Sequence, residues 1–323
     1  MKKLKGQVAV VAGSARGAGR GIAAMLGEAG ATVYCTARST RGNLVTKKRP
    51  ETIDETADLV KERGGVGIAV RVDHTRPEEV EQLFDRVKRE QGRLDILVNN
   101  VNGDALYQWK RSWDISLDVG LEILKAAIYS HIVNAHYAVP LMLANKKGLI
   151  VEITDGDGFY YRGNLYYDLT KTIAIRLAMD FANELRKKNV ACVAITPGFL
   201  RSEVVLETLH VKESNWRDAI KRRPEFAESE TPYYVGRAIA ALAADPKAMK
   251  KSGRVFNSAE LAREYGFTDV DGRSPKIWEW LAGSKFHYKK IDDAFYAYFD
   301  MDYDSLAKEV KKLQKEIAGA SPS

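Results

Sequence analysis

Short apolar runs alternate with amphipathic segments along most of the chain. Apolar runs rich in β-branched residues predict strands at residues 7–12, 32–36, 67–72, 94–99, 149–154 and 190–196. Helical patterns cover residues 22–29, 52–63, 77–91 and 167–188. In the third of these, Val80, Leu83, Phe84 and Val87 fall on one stripe. Strands that are apolar on both faces and alternate with helices predict a doubly wound parallel sheet, an α/β fold with helices on both faces.

Three stretches depart from this alternation. Residues 41–51 form a basic, turn-rich loop, and residues 200–232 are polar and irregular, as expected of a mobile substrate lid. After residue 270 the chain becomes rich in aromatic residues: Trp278, Trp280, Phe286, Tyr288, Phe295, Tyr296, Tyr298 and Phe299. We therefore divide the chain into a main domain, residues 1–270, and a C-terminal extension, residues 271–323.

The extension is expected to end in a short helix with apolar residues at coiled-coil spacing: Leu306, Val310, Leu313 and Ile317. Its aromatic residues are expected to pack on the main domain or on a neighbouring subunit. A membrane-surface role is a minority interpretation, suggested by the basic residues Lys308, Lys311, Lys312 and Lys315.

Composition narrows the class of protein. The chain has 323 residues, 45% of them hydrophobic, and a net charge of +7, which suits an anionic ligand or simply keeps the protein in solution. No nucleic-acid-binding motif is present. Cys35 and Cys192 both lie in apolar runs and are expected to be buried free thiols. No apolar stretch approaches the roughly 20 residues that cross a bilayer, so we expect a cytoplasmic protein without a membrane partner.

A glycine-rich loop joins the first predicted strand to the first predicted helix. Its sequence is Gly13-Ser14-Ala15-Arg16-Gly17-Ala18-Gly19. Glycines allow a tight turn and a close approach of the backbone to a pyrophosphate. The start of the helix then offers free N–H groups and the positive end of its dipole. The loop predicts a dinucleotide-binding site.

A second motif, Tyr167-Asp168-Leu169-Thr170-Lys171, lies in the last long helix. A tyrosine and a lysine four residues apart share one helix face. The ammonium of Lys171 is expected to lower the pKa of the Tyr167 phenol, which would make Tyr167 a proton donor and acceptor.

The spacing G-x-x-x-G-x-G followed by Tyr167 and Lys171 resembles the short-chain dehydrogenase/reductase family over roughly residues 5–270. Other segments agree with that resemblance: Asp73, Asn99-Asn100-Val101-Asn102, Pro197-Gly198 and Ser202. In the family, the aspartate contacts adenine, the asparagine segment is usually N-N-A-G, and the proline-glycine segment, with a threonine at the position of Ser202, closes over the nicotinamide. The resemblance implies a Rossmann-like fold, a nicotinamide cofactor, a carbonyl or alcohol substrate, and a homodimer or homotetramer.

The second predicted strand indicates which nicotinamide cofactor is bound. NAD-binding sites place a carboxylate at its end to hold the ribose 2′-hydroxyl. Here the strand ends Thr36-Ala37-Arg38-Ser39, with no acid. Arg38 can bind a 2′-phosphate, and Arg16 is expected to flank it. We therefore predict NADP(H). The basic residues Arg41, Lys47, Lys48 and Arg49 either close over this phosphate or form a solvated loop.

The catalytic site has a gap. Asp155 stands where the family has the serine that hydrogen-bonds the substrate oxygen, and Thr154 precedes it. Asp155 is a neutral acid or an orienting carboxylate, or it points away and leaves Thr154 as the working hydroxyl, or it is purely structural. An ionised Asp155 would raise the pKa of Tyr167 and oppose the effect of Lys171. The helix asparagine of the family is also missing, and its place falls on Lys125 or Ala127. The stretch from Asp155 to Gly158 lacks the ligands of a calcium loop, so we expect no metal.

These residues predict an NADP(H)-dependent oxidoreductase that interconverts a carbonyl and an alcohol. The expected substrate is apolar or aromatic because several aromatic residues lie on segments near the site: Trp109, Trp113, Tyr160, Tyr161 and Phe199. The alternative is an NADP(H)-binding regulator or scaffold without turnover. Retention of Tyr167 and Lys171 favours the enzyme, and loss of the serine and asparagine favours the scaffold. Dehydration or epimerisation by the same tyrosine stays open.

Overall fold

Seven parallel strands form the centre of the molecule. The computed structural model describes residues 2–45, 49–103, 105–108, 110–283, 290–300, 308, 311 and 312. The strands are β1 (Val8–Ala12), β2 (Thr32–Ala37), β3 (Val66–Arg71), β4 (Ile96–Asn99), β5 (Gly148–Ile153), β6 (Val190–Thr196) and β7 (Val255–Asn257). Their order across the sheet is β3-β2-β1-β4-β5-β6-β7. The predicted Rossmann-like doubly wound sheet is confirmed.

Helices cover both faces of this sheet. They are α1 (Gly17–Glu28), α2 (Ile53–Glu62), α3 (Pro77–Gln91), α4 (Leu117–Leu124), α5 (Ser130–Ala144), α6 (Leu165–Leu185), α7 (Glu203–Thr208), α8 (Pro232–Ala243), α9 (Ser258–Tyr265), α10 (Ile277–Ala282) and α11 (Asp293–Phe299). A π-helical turn, Lys125–Tyr129, joins α4 to α5. Helices α1, α2 and α8 pack on one face through residues such as Ile22 and Ile239. Helices α3, α5 and α6 pack on the other.

The two apolar cores follow from the alternation of side chains along buried strands. Val11 of β1 points into the core with α1, whereas its neighbour Val10 joins the core with α6. Cys35 and Cys192 are buried free thiols on opposite faces, as predicted.

Several elements were not predicted. Helix α5 contains Pro140 and buries residues around much of its circumference, so its sequence shows no single apolar stripe. Strand β7 has only three residues, which is too short for a periodic pattern. The irregular stretch 200–232 contains α7 and two 3₁₀ segments, Glu213–Lys221 and Pro224–Glu228.

The order of strands reverses between β1 and β4, and this places the loops after them side by side. The Asn100 N–H donates to the Ala12 carbonyl (3.1 Å), and the Thr154 N–H donates to the Ile195 carbonyl (3.0 Å). Ligands of doubly wound sheets bind at this edge, where the carboxyl ends of the strands meet. The glycine loop and Asp155 therefore share one edge of the sheet.

The described part of the extension packs on the main domain. The Tyr296 hydroxyl accepts a hydrogen bond from the Val255 N–H (3.0 Å), and Asp300 pairs with Arg254 (2.7 Å) and Arg186 (3.1 Å). In the parts of the chain that are described, no helix is long and apolar enough to cross a membrane. Several residues of the predicted tail lie outside the described residues: Phe286, Tyr288, Leu306, Val310, Leu313, Lys315 and Ile317.

Candidate active site

Helix α6 carries Tyr167 in its first turn, and Asn164 fixes that turn. The Asn164 side-chain oxygen caps the helix by accepting from the N–H groups of Tyr166 (2.9 Å) and Tyr167 (3.1 Å). Its amide donates to the Lys110 carbonyl (2.6 Å), so the preceding loop is tied to the same residue. Asn164 is fully buried, and its contacts with the Tyr167 N–H and with the Lys110 carbonyl hold the first turn of α6 in place.

Asp155 binds the tyrosine directly. The Tyr167 hydroxyl donates to Asp155 Oδ2 at 2.8 Å. Asp155 follows β5, and the next N–H, that of Gly156, donates to the Thr196 hydroxyl of β6 (2.7 Å). The carboxylate is therefore held next to the phenol by the sheet itself.

Arg162 braces the loop that follows, and sequence reasoning missed it. Its guanidinium is buried and donates to the carbonyls of Asp155 (2.6 Å) and Gly158 (3.0 Å) and to the Asp168 carboxylate (2.8 Å). It also lies 4.2 Å from the centre of the Tyr160 ring. One residue thus ties the loop after β5 to the first turn of α6.

Burial and Asp155 control the electrostatics of Tyr167. Burial and the negative charge of Asp155 raise the pKa of Tyr167 well above 10. The Lys171 amine lies over the Tyr167 ring, 5.6 Å from its centre, and does not outweigh these effects. Of the two opposing charges expected to act on the phenol, Asp155 therefore prevails, and the phenol keeps its proton at neutral pH.

Lys171 is buried one helical turn further on. Burial lowers the pKa of Lys171 to about 8, although the charge of Asp155 acts in the opposite direction. Its amine donates to the side-chain oxygen of Asn102 (2.6 Å). Lys171, Tyr167 and Asp155 therefore form one group at the strand ends.

The glycine loop lies against the end of β4. The Asn100 side chain donates to the Gly13 carbonyl (2.9 Å), and a Cβ atom on Gly13 would come within 2.7 Å of the Asn100 carbonyl oxygen. Gly13 has a φ of +80°, which also requires glycine. Gly17, Ala18 and Gly19 form the first turn of α1.

The start of α1 accepts an anionic group in this structure. The Gly17 N–H donates to Glu203 Oε2 (2.9 Å), at the point where a dinucleotide would place its pyrophosphate. The neighbouring Ser202 hydroxyl caps α7 by accepting from the Val205 N–H (3.4 Å). The N-terminus of α1 therefore binds a negatively charged group.

The ends of β2 and β3 lie beside this turn. Arg38 is half-buried. Burial alone would raise the pKa of Asp73, but hydrogen bonds from Thr75 and the positive charge of Arg38 lower it, and the net effect is a lowered pKa. Asp73 accepts from the N–H (3.0 Å) and hydroxyl (2.7 Å) of Thr75. Arg38 and Asp73 thus lie together at the sheet edge, as their predicted roles require.

Two described cations of the basic loop have carboxylate partners. Arg41 pairs with Asp58 (2.5 Å), and Arg49 pairs with Glu51 and with Glu207 (2.5 Å). Lys47 and Lys48 lie outside the described residues. Arg38 directly follows β2, the strand whose carboxyl end faces the adenosine ribose in doubly wound dinucleotide-binding folds.

Comparison with known proteins identifies the family. A family model described as short chain dehydrogenase matches residues 7–212. Dehydrogenase/reductase SDR family member 1 from Mus musculus is 38% identical over 84% of this chain and 86% of that protein. The 7alpha-hydroxysteroid dehydrogenase of Clostridium sardiniense is 32% identical over 65% of this chain and 76% of that protein. The chain belongs to the short-chain dehydrogenase/reductase family.

A solved structure agrees with this assignment at the level of the fold. A short chain dehydrogenase from Mycobacterium thermoresistibile is 20% identical, with a TM-score of 0.71 over 90% of this chain and 96% of that one. Members of the short-chain dehydrogenase/reductase family are oxidoreductases that use NAD(H) or NADP(H). This chain is therefore an oxidoreductase of the kind that uses NAD(H) or NADP(H).

Three residues expected to contact substrate or cofactor have buried side chains, which corrects their expected roles. Thr154 is buried, and its hydroxyl donates to the Lys171 carbonyl (2.7 Å). Asn99 is fully buried, and its amide donates to Glu152 (2.7 Å). Ser14 is also fully buried, so its side chain supports the turn.

The helix asparagine of this short-chain dehydrogenase/reductase is absent, as expected. Its place falls in the π-helical turn, where Ala127 is buried.

Pro197 is buried at the end of β6, and Gly198 is packed closely: a Cβ atom there would lie 2.7 Å from Ile277 of α10 and 2.8 Å from Glu230.

Only some of the aromatic residues expected near the substrate site lie close to Tyr167 or Arg162. Tyr107, which sequence reasoning missed, lies 5.9 Å from Tyr167 between ring centres and is exposed. Tyr160 is half-buried beside Arg162, and Tyr161 is exposed on the same loop. Trp113 is 76% exposed, Phe199 packs on Phe226 at 5.0 Å, and Trp109 lies outside the described residues.

Proposed function

We propose that this short-chain dehydrogenase/reductase is an NADP(H)-dependent reductase of carbonyl compounds. The observation that carries the proposal is the Tyr167 hydroxyl, which donates to Asp155 at 2.8 Å beside the buried Lys171. A phenol whose pKa is well above neutral is a stable proton donor and a poor base at pH 7. Carbonyl reduction needs that donor, so reduction is the proposed direction.

The cofactor would be held by residues along the strand ends. The N–H groups at the start of α1 would bind the pyrophosphate, and Arg38 with Arg16 would bind a 2′-phosphate. Asp73 would contact the adenine, and Lys171 the nicotinamide ribose. Ser202, Pro197 and Gly198 would cover the nicotinamide. When bound, the cofactor supplies a hydride to a carbonyl carbon.

The protein's own part is to orient the carbonyl and deliver one proton. The single hydroxyl proton of Tyr167 must turn from Asp155 to the substrate oxygen, and Tyr167 then gives it up as the C–H bond forms, so that carbonyl, hydride and proton together make the alcohol. The ammonium of Lys171 stabilises the phenolate left on Tyr167 until solvent returns a proton. Asp155 orients the phenol through the 2.8 Å hydrogen bond and, by its charge, opposes early loss of the proton.

The substrate would be apolar or aromatic. Tyr107 and Tyr160 lie within reach of the reacting centre, and aromatic rings bind flat apolar groups well. The relative from Clostridium sardiniense is named for a hydroxysteroid, so ring ketones belong in the first set of substrates to be tried.

The test combines cofactor binding with turnover. Titration by fluorescence should give tighter binding of NADPH than of NADH. Oxidation of NADPH should then follow with some member of a panel of steroid, aromatic and aliphatic ketones. Tyr167→Phe removes the proton donor and should lower kcat about 10²-fold or more while leaving the Kd for NADPH nearly unchanged.

Tyr265→Phe is the matched control for that variant. Tyr265 also donates to an aspartate, Asp245, at 2.8 Å, but it lies in α9 and Asp245 follows α8, outside the catalytic group. Its loss should leave kcat unchanged. Tight NADPH binding without turnover on any carbonyl would contradict the proposal, and so would full activity in Tyr167→Phe.

Self-association is proposed from an exposed apolar face. Helices α4, α5 and α6 expose Leu117 (68%), Leu121 (53%), Ile132 (45%), Leu165 (43%) and Leu169 (36%). Apolar residues grouped on one face are typical of a subunit interface. A homodimer or homotetramer is the expected assembly, and Leu121→Glu should shift the sedimentation coefficient towards that of a monomer. An unchanged coefficient would argue against this face.

A further inference from the structure

A chain of buried polar side chains lies beneath the catalytic group, and the reaction described above does not use it. Its members are Thr36, His74, Asn134, Asn99, Glu152 and His131. Each contacts the next at 2.7–3.0 Å. Buried polar groups are stable only when such partners are present. The end of the chain at His131 is the one that approaches the catalytic lysine.

The contacts of His131 fix its protons. Nε2 lies 3.0 Å from the Val101 carbonyl oxygen, which can only accept, so Nε2 carries a hydrogen and donates it. Nδ1 lies 2.7 Å from Glu152 Oε2, and one proton lies between these two atoms. The Glu152–His131 pair is therefore neutral as a unit and holds the Val101 carbonyl from inside the fold.

The next residue, Asn102, is the one that binds the lysine. Its side-chain oxygen accepts from the Lys171 amine (2.6 Å), and its side-chain amide donates to the Asn100 carbonyl (3.2 Å). The two contacts fix which way the amide faces, because the ammonium can only donate and the carbonyl can only accept. The motif that resembles N-N-A-G has glycine here in the family, and glycine has no side chain to do this.

We propose that Asn102 is a positioning residue for the amine of Lys171, and that the buried Glu152–His131 pair holds Asn102 in place through the Val101 carbonyl. This inference rests on the proposed function, since it assigns Lys171 a part in the reaction. The Lys171 amine is then already held in its working position before substrate binds, and buried residues beside the sheet fix that position. Preorganised groups of this kind raise kcat because little rearrangement precedes the transition state.

Other charged groups also face Lys171, and they must be separated from Asn102. Asp155 raises the lysine pKa, Arg162 lowers it, and Tyr167 lies beside it. All three residues are still present when Asn102 is replaced. A shift in the titration of Lys171 on replacement of Asn102 therefore reports the side chain at position 102.

The test uses two variants with opposite expected effects. Asn102→Gly removes the acceptor for the ammonium and should lower the pKa of Lys171, whereas Asn102→Asp adds a negative charge and should raise it. The pKa is read from the Cε resonance of Lys171 in protein with ¹³C-labelled lysine, assigned by its loss in Lys171→Arg. Asn102→Gly should also lower kcat on the order of tenfold or more.

Asn189→Gly is the matched control. Asn189 lies before β6 at the opposite edge of the sheet and has a φ of +55°, which suits glycine. This variant should leave both the resonance and kcat unchanged. If the two Asn102 variants leave the Lys171 titration where it is, or move it in the same direction, the proposal is wrong.

A further variant tests the buried pair. Replacing both partners at once, in His131→Phe/Glu152→Leu, avoids leaving one charge unpaired in the core. If the double variant melts cooperatively, its Lys171 titration and kcat should resemble those of Asn102→Gly. A folded double variant with the wild-type titration would show that the pair is only structural, and a failure to fold leaves the Asn102 pair of variants as the deciding measurement.

The resonance does not depend on turnover. If no carbonyl is reduced but the Asn102 variants shift the titration in opposite directions, the proposed function fails and the positioning contact stands. If carbonyls are reduced but the titration does not move, the positioning proposal fails alone.

Discussion

At the scale of single residues, the pKa of Tyr167 decides whether the phenol begins the reaction with its proton or without it. The tyrosine binds a carboxylate at 2.8 Å, and the lysine amine is 5.6 Å from its ring centre. Burial and the negative charge of Asp155 hold the proton on the phenol. A serine at position 155 would bind a substrate oxygen without opposing phenolate formation. Asp155 therefore biases the site towards proton donation.

Replacing Asp155 should move the pH profile of alcohol oxidation. Oxidation needs Tyr167 as a base, so its rate rises with pH towards the pKa of the phenol. Asp155→Asn and Asp155→Ser remove the negative charge, lower the Tyr167 pKa, and should shift the rising limb of kcat/KM to lower pH by about 1 unit or more. The profile with an alcohol substrate and NADP⁺ between pH 6 and 10.5 measures the shift.

Asp157→Asn is the control for this experiment. Asp157 lies two residues further along the same loop, where it accepts from Asn257 (2.8 Å). Its replacement removes a charge from the loop without touching Tyr167, so the rising limb should stay in place. Equal shifts in both variants would mean that the loop charge, and not Asp155, controls the phenol.

At the scale of secondary-structure elements, the N-terminus of α6 places the tyrosine. Asn164 caps the helix and also binds the loop at Lys110, so a single side chain fixes both the first turn and the segment opposite it. The Asp155 loop is fixed by Arg162 from the other side. Contacts between elements thus set the positions of Tyr167 and Asp155. Helical spacing alone predicts only that Tyr167 and Lys171 lie on one face of α6.

Asn164→Ala should separate helix stability from catalysis. Loss of an N-cap costs about 1–2 kcal/mol of unfolding free energy. Because the first turn of α6 carries Tyr167, kcat should fall as well. Urea unfolding and steady-state kinetics are the measurements. Thr52→Ala removes the cap of α2, which carries no catalytic residue, and should cost similar stability with kcat unchanged. Normal kcat in Asn164→Ala would show that the cap does not position Tyr167.

At the scale of the whole molecule, the extension supports the loop that carries Asp155. The Ile291 N–H donates to the Asp157 carbonyl (3.0 Å), and Phe295 contacts Phe159 with ring centres 5.1 Å apart. Lys290 lies 3.8 Å from the Asp157 carboxylate. Residues far apart in sequence therefore meet at the wall of the candidate active site.

Deletion of residues 290–323 should lower both the melting temperature and kcat/KM, because the loop after β5 loses these contacts. Differential scanning fluorimetry and steady-state kinetics give the two values. Asp300→Ala keeps the contacts with the loop but cuts the ion pairs with Arg186 and Arg254. Partly exposed pairs contribute about 0–1 kcal/mol, so this variant should lose little stability and no activity. Unchanged kcat/KM in the deletion would contradict the supporting role.

The sequence by itself determined the fold class, because apolar strands and amphipathic helices are local patterns read over a few residues. It also located the glycine loop, Tyr167 and Lys171, which are defined by short spacings. It did not reveal α5 or β7, where an internal proline and a length of three residues remove the periodic signal.

Only the tertiary structure decided which side chains meet. In the folded chain, Tyr167 donates a hydrogen bond to Asp155, and Lys171 donates one to Asn102. The side chains of Thr154 and Asn99 are buried and bind other parts of the protein. The tertiary structure also decided which of two opposing charges, Asp155 or Lys171, controls the pKa of Tyr167. A pKa depends on burial and on charges within a few ångströms, and those distances are set when distant segments pack together.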